Sequence, residues 1–266
     1  MSTLEARRLV KTYRLRDGRT RRLTAVNDVS LTLEPGSTVA LVGQSGSGKS
    51  TIAKLLLQLE RPSSGQILLD GTPVPRGGSG LRDYRRRVQM VFQDPFSSLN
   101  PFHPVEHHLA RPLLLHRRVS SRSQLRDRVR ELLERVRLDP DDIAHRRPHE
   151  LSGGQRQRVA IARALAPEPS ILVADEPVSM LDVSIRLGVL NLLAALQRQE
   201  NLGVLYITHD LATARHFSDD ILVMYRGEIV ERGPADEVIL NPQHEYTRLL
   251  REAAPDPERR LGGAEV

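Results

Sequence analysis

Lys49 is one of only three lysines in the chain, with Lys11 and Lys54, and it lies in the stretch GQSGSGKS, Gly43 to Ser50. The apolar run before it, Thr38 to Val42, reads as a buried parallel strand, and TIAKLLLQL after Ser50 reads as a helix stopped by RPSSG. In that setting the pattern G-x-x-x-x-G-K-[ST] implies a cradle for nucleotide phosphates. Gly43, Gly46 and Gly48 let the backbone curl, so that the N–H groups of this loop, with Gln44, Ser45 and Ser47 between the glycines, face phosphate oxygens. Lys49 is placed to reach the β- and γ-phosphates, Ser50 to ligate Mg²⁺, and Thr51 to add a contact at the helix start.

Hydrolysis of a nucleoside triphosphate also needs an acidic metal partner on a neighbouring strand. ILVADE supplies one: four apolar residues lead to Asp175, at the strand end where ligands gather in open α/β sheets. Asp175 is expected to hold Mg²⁺, and Glu176 beside it to face the attacking water as general base. Gln93 ends VQMVFQ and is expected to reach the metal and the water, and His209 ends VLYITH and is expected to contact the γ-phosphate. Each alone reads as a solvated strand end, but four strands ending in such residues form a constellation. Tyr13, the only aromatic residue before Gly43, is the candidate to stack on an adenine base.

A second stretch, LSGGQ at 151–155, also places glycines behind a serine ahead of a helix, the look of a phosphate-binding helix start. It has no lysine and no second acidic strand, so it should touch a nucleotide whose other side is held by a Lys49-type loop. The sequence leaves open whether that nucleotide sits on the same chain or another.

These groups must be positioned by an α/β core. Strand candidates at Thr38–Gly43, Val88–Phe92, Ile171–Ala174, Val204–Thr208 and Ile221–Met224 alternate with helical segments, which predicts a mostly parallel sheet with crossover helices. Between Pro95 and about Glu150 there is no strand candidate. Leu125, Val129, Leu132, Leu133 and Val136 recur at helical spacing there, and Ser121 with Gln124 is expected to form a capping box. The reading is a helical insert at 95–155 within a core of 1–94 and 156–235, a helical end after Gly233, and a mobile tail at 251–266.

The 266 residues are 39% apolar and contain no cysteine, which excludes disulfides and thiolate metal sites. No apolar run approaches the roughly 20 residues of a membrane span. The opening MSTLEARRLVKTY lacks a signal-peptide core, so the expected location is cytosolic, with any membrane role coming through a partner. The formal charge of +6 is spread along the chain as arginine, an argument against a concentrated nucleic-acid face.

Taken in order, these motifs resemble an ABC transporter ATP-binding subunit: Walker A at 43–50, the Q-loop at Gln93, the LSGGQ signature at 151–155, Walker B ending at Asp175 and Glu176, a D-loop SMLD at 179–182 and a switch histidine at His209. The resemblance covers roughly residues 1–250. It implies a P-loop NTPase core with an inserted helical subdomain, ATP and Mg²⁺ as ligands, and two cassettes packed head to tail around two ATPs. On that basis Ser152, Gly153, Gly154 and Gln155 act on the partner's ATP, and Asp182 lies along the seam.

QMVFQDPFSSLNP, ADEPVSMLDVSI and NPQHEYTRLL further resemble the dipeptide, oligopeptide and nickel importer group, and EPVSxLDVS the second of its two unlike ATPases. The resemblance implies a peripheral subunit on the cytoplasmic face of the cell membrane. Its implied partners are two multi-span permease subunits, a second, homologous ATPase (a heterodimer, with a homodimer as the alternative) and an extracytoplasmic substrate-binding protein, with no direct nucleic acid. The chain departs from the group at Met180 (usually alanine), at Glu245 (the proline of HPYT) and at PFHPVEHH, residues 101–108. His103, Glu106 and His107 spell the inverted zinc-protease pattern H-x-x-E-H, but Pro104 lies inside it and no third ligand is apparent. A soluble ABC ATPase acting on nucleic acid or ribosomes is the alternative; such proteins usually carry two cassettes or long insertions.

Overall fold

The computed structural model describes residues 2–14 and 22–253. Ten strands run in chain order as β1 (Leu4–Arg14), β2 (Arg22–Leu33), β3 (Thr38–Val42), β4 (Ser64–Leu69), β5 (Thr72–Pro73), β6 (Val88–Val91), β7 (Ile171–Asp175), β8 (Gly203–Thr208), β9 (Asp220–Tyr225) and β10 (Glu228–Pro234). The helices are α1 (Lys49–Leu56), α2 (Gly78–Arg87), α3 (Pro95–Ser98), α4 (Val105–Leu115), α5 (Arg122–Arg135), α6 (Pro140–Ile143), α7 (Gly153–Leu165), α8 (Val183–Glu200), α9 (Leu211–Phe217), α10 (Ala235–Leu240) and α11 (Glu245–Ala253). No helix among the described residues is long and apolar enough to cross a membrane.

The strands form two sheets. A six-stranded sheet has the order β10-β9-β3-β8-β7-β6. Its neighbours from β9 through β6 pair in parallel, while β10 pairs antiparallel with β9 at one edge. Every residue of β3, β7 and β8 is buried, as befits central parallel strands covered on both faces. The alternation of a strand then splits its side chains between two cores. Ala40 and Val42 face the core beneath the helical insert and α8, whereas Val39 and Leu41 face the core shared with α1 and the second sheet.

That second sheet is antiparallel, in the order β2-β1-β4-β5. The six-stranded sheet is the mostly parallel one that the sequence predicts; no strand pattern in the sequence marks this second sheet. Its strands are polar on one face and broken by register shifts near Arg8 and Lys11, so they lack the unbroken apolar runs that reveal buried strands.

From Pro95 to Glu150 the described regular elements are all helices joined by loops, ending in a 3-10 turn at Pro148–Glu150. Val129, Leu132, Leu133 and Val136 are buried, as their spacing requires. The capping box at Ser121 forms only in half. Ser121 accepts the Gln124 N–H, but the Gln124 side chain accepts from the N–H of Ser120, one residue further out. The reciprocal box forms instead at Ser152 and Gln155, at the start of α7. Residues 251–253 complete α11 rather than belonging to the tail; 254–266 lie outside the described residues.

Leu109 on α4 is fully buried in the lower core. Leu109→Ala should cost about 2–5 kcal/mol of unfolding free energy. Urea denaturation should show this as a lower midpoint at unchanged slope.

Candidate active site

The site lies where four parallel strands end side by side. The neighbours β3, β8, β7 and β6 lead respectively into the Gly43–Gly48 loop, His209, Asp175–Glu176 and Gln93. Because the strands are parallel and adjacent, residues far apart in the chain meet at one edge of the sheet. A cavity of about 900 Å³ opens there. It is lined by Tyr13, Gln44, Ser45, Gly46, Gly48, Lys49, Ser50, Thr51, Gln93, Glu176 and His209. A second cavity of about 960 Å³ lies elsewhere, against α4 and β6. Size therefore does not identify the site; the side chains do.

Gly48 caps α1 with φ of +111°, and a Cβ there would press on the Ala25 carbonyl, so only glycine fits this entry to the helix. The turn starts α1 at the cavity wall, which Lys49, Ser50 and Thr51 line. Lys49 is 5% exposed and its ammonium donates to the carbonyls of Gly43 and Gln44. Burial pushes its pKa down, and the charges of Glu176 and Asp175 push back. Gly43 and Ser47 form the back of the loop: a Cβ on Gly43 would meet the Met224 carbonyl, and Ser47 is buried.

Asp175 is 7% exposed. Burial raises its pKa, the Ser50 hydroxyl bond pulls it down, Glu176 raises it further and Lys49 opposes that. A buried carboxylate joined to a hydroxyl beside a cation is the hard-oxygen donor set that suits Mg²⁺.

Glu176 is held from three directions. Gln93 Nε2 donates to its Oε2 at 3.0 Å, His209 Nδ1 lies 3.2 Å from its Oε1, and its N–H donates to the Ile207 carbonyl at 2.9 Å. Its φ of 44° is left-handed, an uncommon state for a residue with a side chain. The carboxylate is thus fixed at the rim of the cavity that Lys49 and Ser50 line.

Tyr13 also lines the cavity. Its hydroxyl donates to Glu60 at 2.6 Å, and the Lys11 ammonium sits 5.0 Å from the ring centroid. Ser152, Gly153, Gly154, Gln155 and Asp182 are not among the lining residues. The Ser152 hydroxyl and the Gln155 amide are joined in the box that caps α7, and Gly154 packs so closely on Ile185 that a Cβ would collide. Asp182 caps α8 and is exposed. Among the described residues no cluster of His, Asp and Glu has metal-holding geometry; His103 and His107 stack at 4.0 Å instead.

The cavity also includes residues that the sequence did not single out, among them Arg186, Asp210, Leu250 and Ala253. Arg186 donates to the carbonyls of Leu181 and Ser179, bracing the turn after Glu176. Nothing in its local sequence marks it.

Comparison with known proteins agrees with this geometry. A family model described as ABC transporter matches residues 26–179. The chain is 47% identical over 264 residues to the glutathione import ATP-binding protein GsiA of Pectobacterium atrosepticum, covering 97% of this chain but 42% of that one. It therefore spans less than half of that relative. It is 46% identical over 259 residues to the di/tripeptide transport ATP-binding protein DppF of Pseudomonas aeruginosa, covering 96% of this chain and 79% of that one. Among solved structures, CbiO1 of Clostridium perfringens superposes with a TM-score of 0.78 at 28% identity, covering 90% of each chain. The cassette MJ0796, a dimer bound to ADP and Pi, gives 0.76 at 31% identity, covering 87% of this chain and 98% of that one. With the loop, the acidic strand end and the signature helix in this order on this fold, the chain belongs to the ABC transporter family as an ATP-binding cassette.

Proposed function

We propose that the chain is the ATP-hydrolysing subunit of an importer, working as a peripheral subunit on the cytoplasmic face of the membrane and powering uptake of peptides or nickel. The observation that carries this reading is the Glu176 carboxylate, fixed between Gln93 and His209 beside the Lys49 loop. The relatives named for glutathione and di/tripeptide transport support the substrate class.

In this reading the phosphates of ATP lie on the Gly43–Ser50 loop, where Lys49 and the start of α1 oppose their charge, and the base stacks on Tyr13. Ser50 and Asp175 would hold Mg²⁺ with Gln93 close by, and the ion would supply neutralisation of the phosphate charge. Glu176 accepts a proton from water as the new oxygen–phosphorus bond forms and the bond to the β-phosphate oxygen breaks, giving ADP and phosphate. Gln93 and His209 keep the carboxylate aimed. His209, about three-fifths exposed, is free to face the γ-phosphate.

The signature residues Ser152 to Gln155 lie outside their own chain's cavity, which favours a second cassette as the place where they work. ATP then bridges two subunits, and the γ-phosphate gives the closed dimer its differential affinity. The partner is a second, homologous ATPase or a second copy of this chain, and a substrate-binding protein outside the membrane delivers the cargo.

The 960 Å³ groove between β6, α4 and α7 is the surface we assign to the permease subunits. Arg85, Arg111 and Arg163 line it with His103, His107, His108 and His116, and among the described residues no acidic side chain does. Leu59, Phe92 and Leu115 leave apolar surface exposed at its edge. Such a lining fits an acidic, partly apolar segment of a membrane partner.

Glu176→Gln should still bind ATP, lose turnover by about 10²–10⁴-fold, the usual worth of a general base, and run at twice the 29.8 kDa chain mass with Mg-ATP in light scattering. Brisk hydrolysis by this variant would remove Glu176 from the role. Tagged Glu176→Gln protein mixed with detergent-solubilised native membranes and Mg-ATP should retain two multi-span proteins and a second ATPase. Arg111→Glu added to it should release the multi-span proteins while ATP binding persists. Recovery of ribosomal or nucleic-acid partners alone would overturn the transport reading.

A further inference from the structure

The segment NPQHEYTRLL, Asn241 to Leu250, stands out in the sequence, yet none of the chemistry above uses it. It folds into a tightly tied unit. The Glu231 carboxylate on β10 accepts the N–H groups of Gln243 at 2.7 Å and His244 at 3.0 Å. Arg248 donates to the carbonyls of Pro242 and Gln243, and Arg251 to that of Leu240. Thr247 is fully buried beneath. These bonds leave the start of α11 little freedom to move relative to the β9–β10 edge.

What they position is Tyr246. It is 6% exposed, and its ring packs on Tyr225 with centroids 4.2 Å apart. Its phenol oxygen accepts the backbone N–H of Gln44 at 2.9 Å, across 202 residues of sequence. Gln44 opens the phosphate loop, directly after Gly43. One turn of α11 further on, Leu250, and then Ala253, line the nucleotide cavity itself. The same edge braces the loop twice more: the Gly227 N–H donates to the Ser47 carbonyl at 2.9 Å, and the Met224 carbonyl packs where a Cβ on Gly43 would fall.

We propose that Tyr246 is a positioning residue of the nucleotide site, its phenol oxygen taking the Gln44 N–H so that the loop keeps its phosphate-binding curl, with α11 forming one wall of the nucleotide cavity. A phosphate loop works by pointing most of its N–H groups inward, and an N–H that points outward must find an acceptor or turn. Tyr246 supplies that acceptor for the first residue after Gly43. The cost of shaping the loop is then met during folding rather than drawn from the binding of the nucleotide. The effect belongs to affinity, because Tyr246 lies behind the loop and away from Glu176. This inference rests on the reading of the cavity as an ATP site.

The test is Tyr246→Phe, which keeps the ring against Tyr225 and removes only the oxygen. MgATP is the probe, followed by calorimetric titration and by steady-state hydrolysis. We expect Kd and KM to rise about 5- to 10-fold, the worth of one hydrogen bond, with kcat within about twofold of the parent. Amide exchange should accelerate at residues 43–47 and stay unchanged on β9, β10 and α11. Glu231→Gln, which weakens the carboxylate hold on the Gln243 and His244 N–H groups without touching the loop, separates general destabilisation from positioning: it should lower the melting temperature with a smaller change in Kd. Parental Kd and KM in Tyr246→Phe would overturn the proposal, as would a loss of protection spread over the whole edge. If the parent protein itself fails to bind MgATP, the nucleotide reading falls with it; if only the variant's difference is missing, the role of Tyr246 alone falls.

Discussion

Two buried charges of opposite sign, Lys49 and Asp175, set the terms for the rest of the structure. Each is almost wholly removed from water, and each relies on polar neighbours: Lys49 on the carbonyls of Gly43 and Gln44 and the charges of Glu176 and Asp175, Asp175 on the Ser50 hydroxyl and Lys49. Their coexistence requires a place where an ammonium, a carboxylate and a hydroxyl meet at the edge of an apolar sheet. Only adjacent strand ends in a parallel sheet, with a helix starting just above them, supply it. The order β3-β8-β7-β6 is that arrangement, and the two cores exist to hold these strands in register from both sides.

From this constraint the division of labour follows. Residues that bind charge sit on or under the sheet edge, where burial strengthens electrostatics. Glu176, the proposed base, stands one residue further out in a left-handed conformation, its carboxylate at the rim of the cavity. Strain of this kind persists only where surrounding bonds over-determine it. Here Gln93, His209 and the Ile207 carbonyl do so on Glu176 itself, and Ser179 and Arg186 hold the turn that follows. The signature loop is built differently. Its serine and glutamine are paired in a helix cap, and its second glycine is fixed by close contact with α8, so the loop presents a preformed helix start away from its own cavity.

Much of the site was legible because its parts are local. A glycine loop between a strand and a helix, an apolar strand ending in two acids, and a polar residue after each of two other strands are recognisable from spacing alone, and the structure gathers them at one edge. The antiparallel sheet was not legible, because β1 and β2 are half polar and bulged and present neither a buried run nor a clean alternation. The half-formed cap at Ser121 shows the same limit at smaller scale: the residues are of the right type, yet the partner of Gln124 is chosen by the path of the preceding chain.

The sequence by itself determined the chemistry: one lysine loop, one acidic strand end, one signature helix start and their order, each carried by neighbouring residues whose backbone conformation is decided locally. Only the tertiary structure decided which strand ends lie side by side, that a second sheet roofs the loop helix, and that Tyr246 reaches back to Gln44. The physical reason is that local sequence encodes conformation and periodicity, whereas contacts between distant segments depend on how whole faces bury one another. No spacing of residues 241–250 states which N–H, some two hundred residues away, their tyrosine will meet.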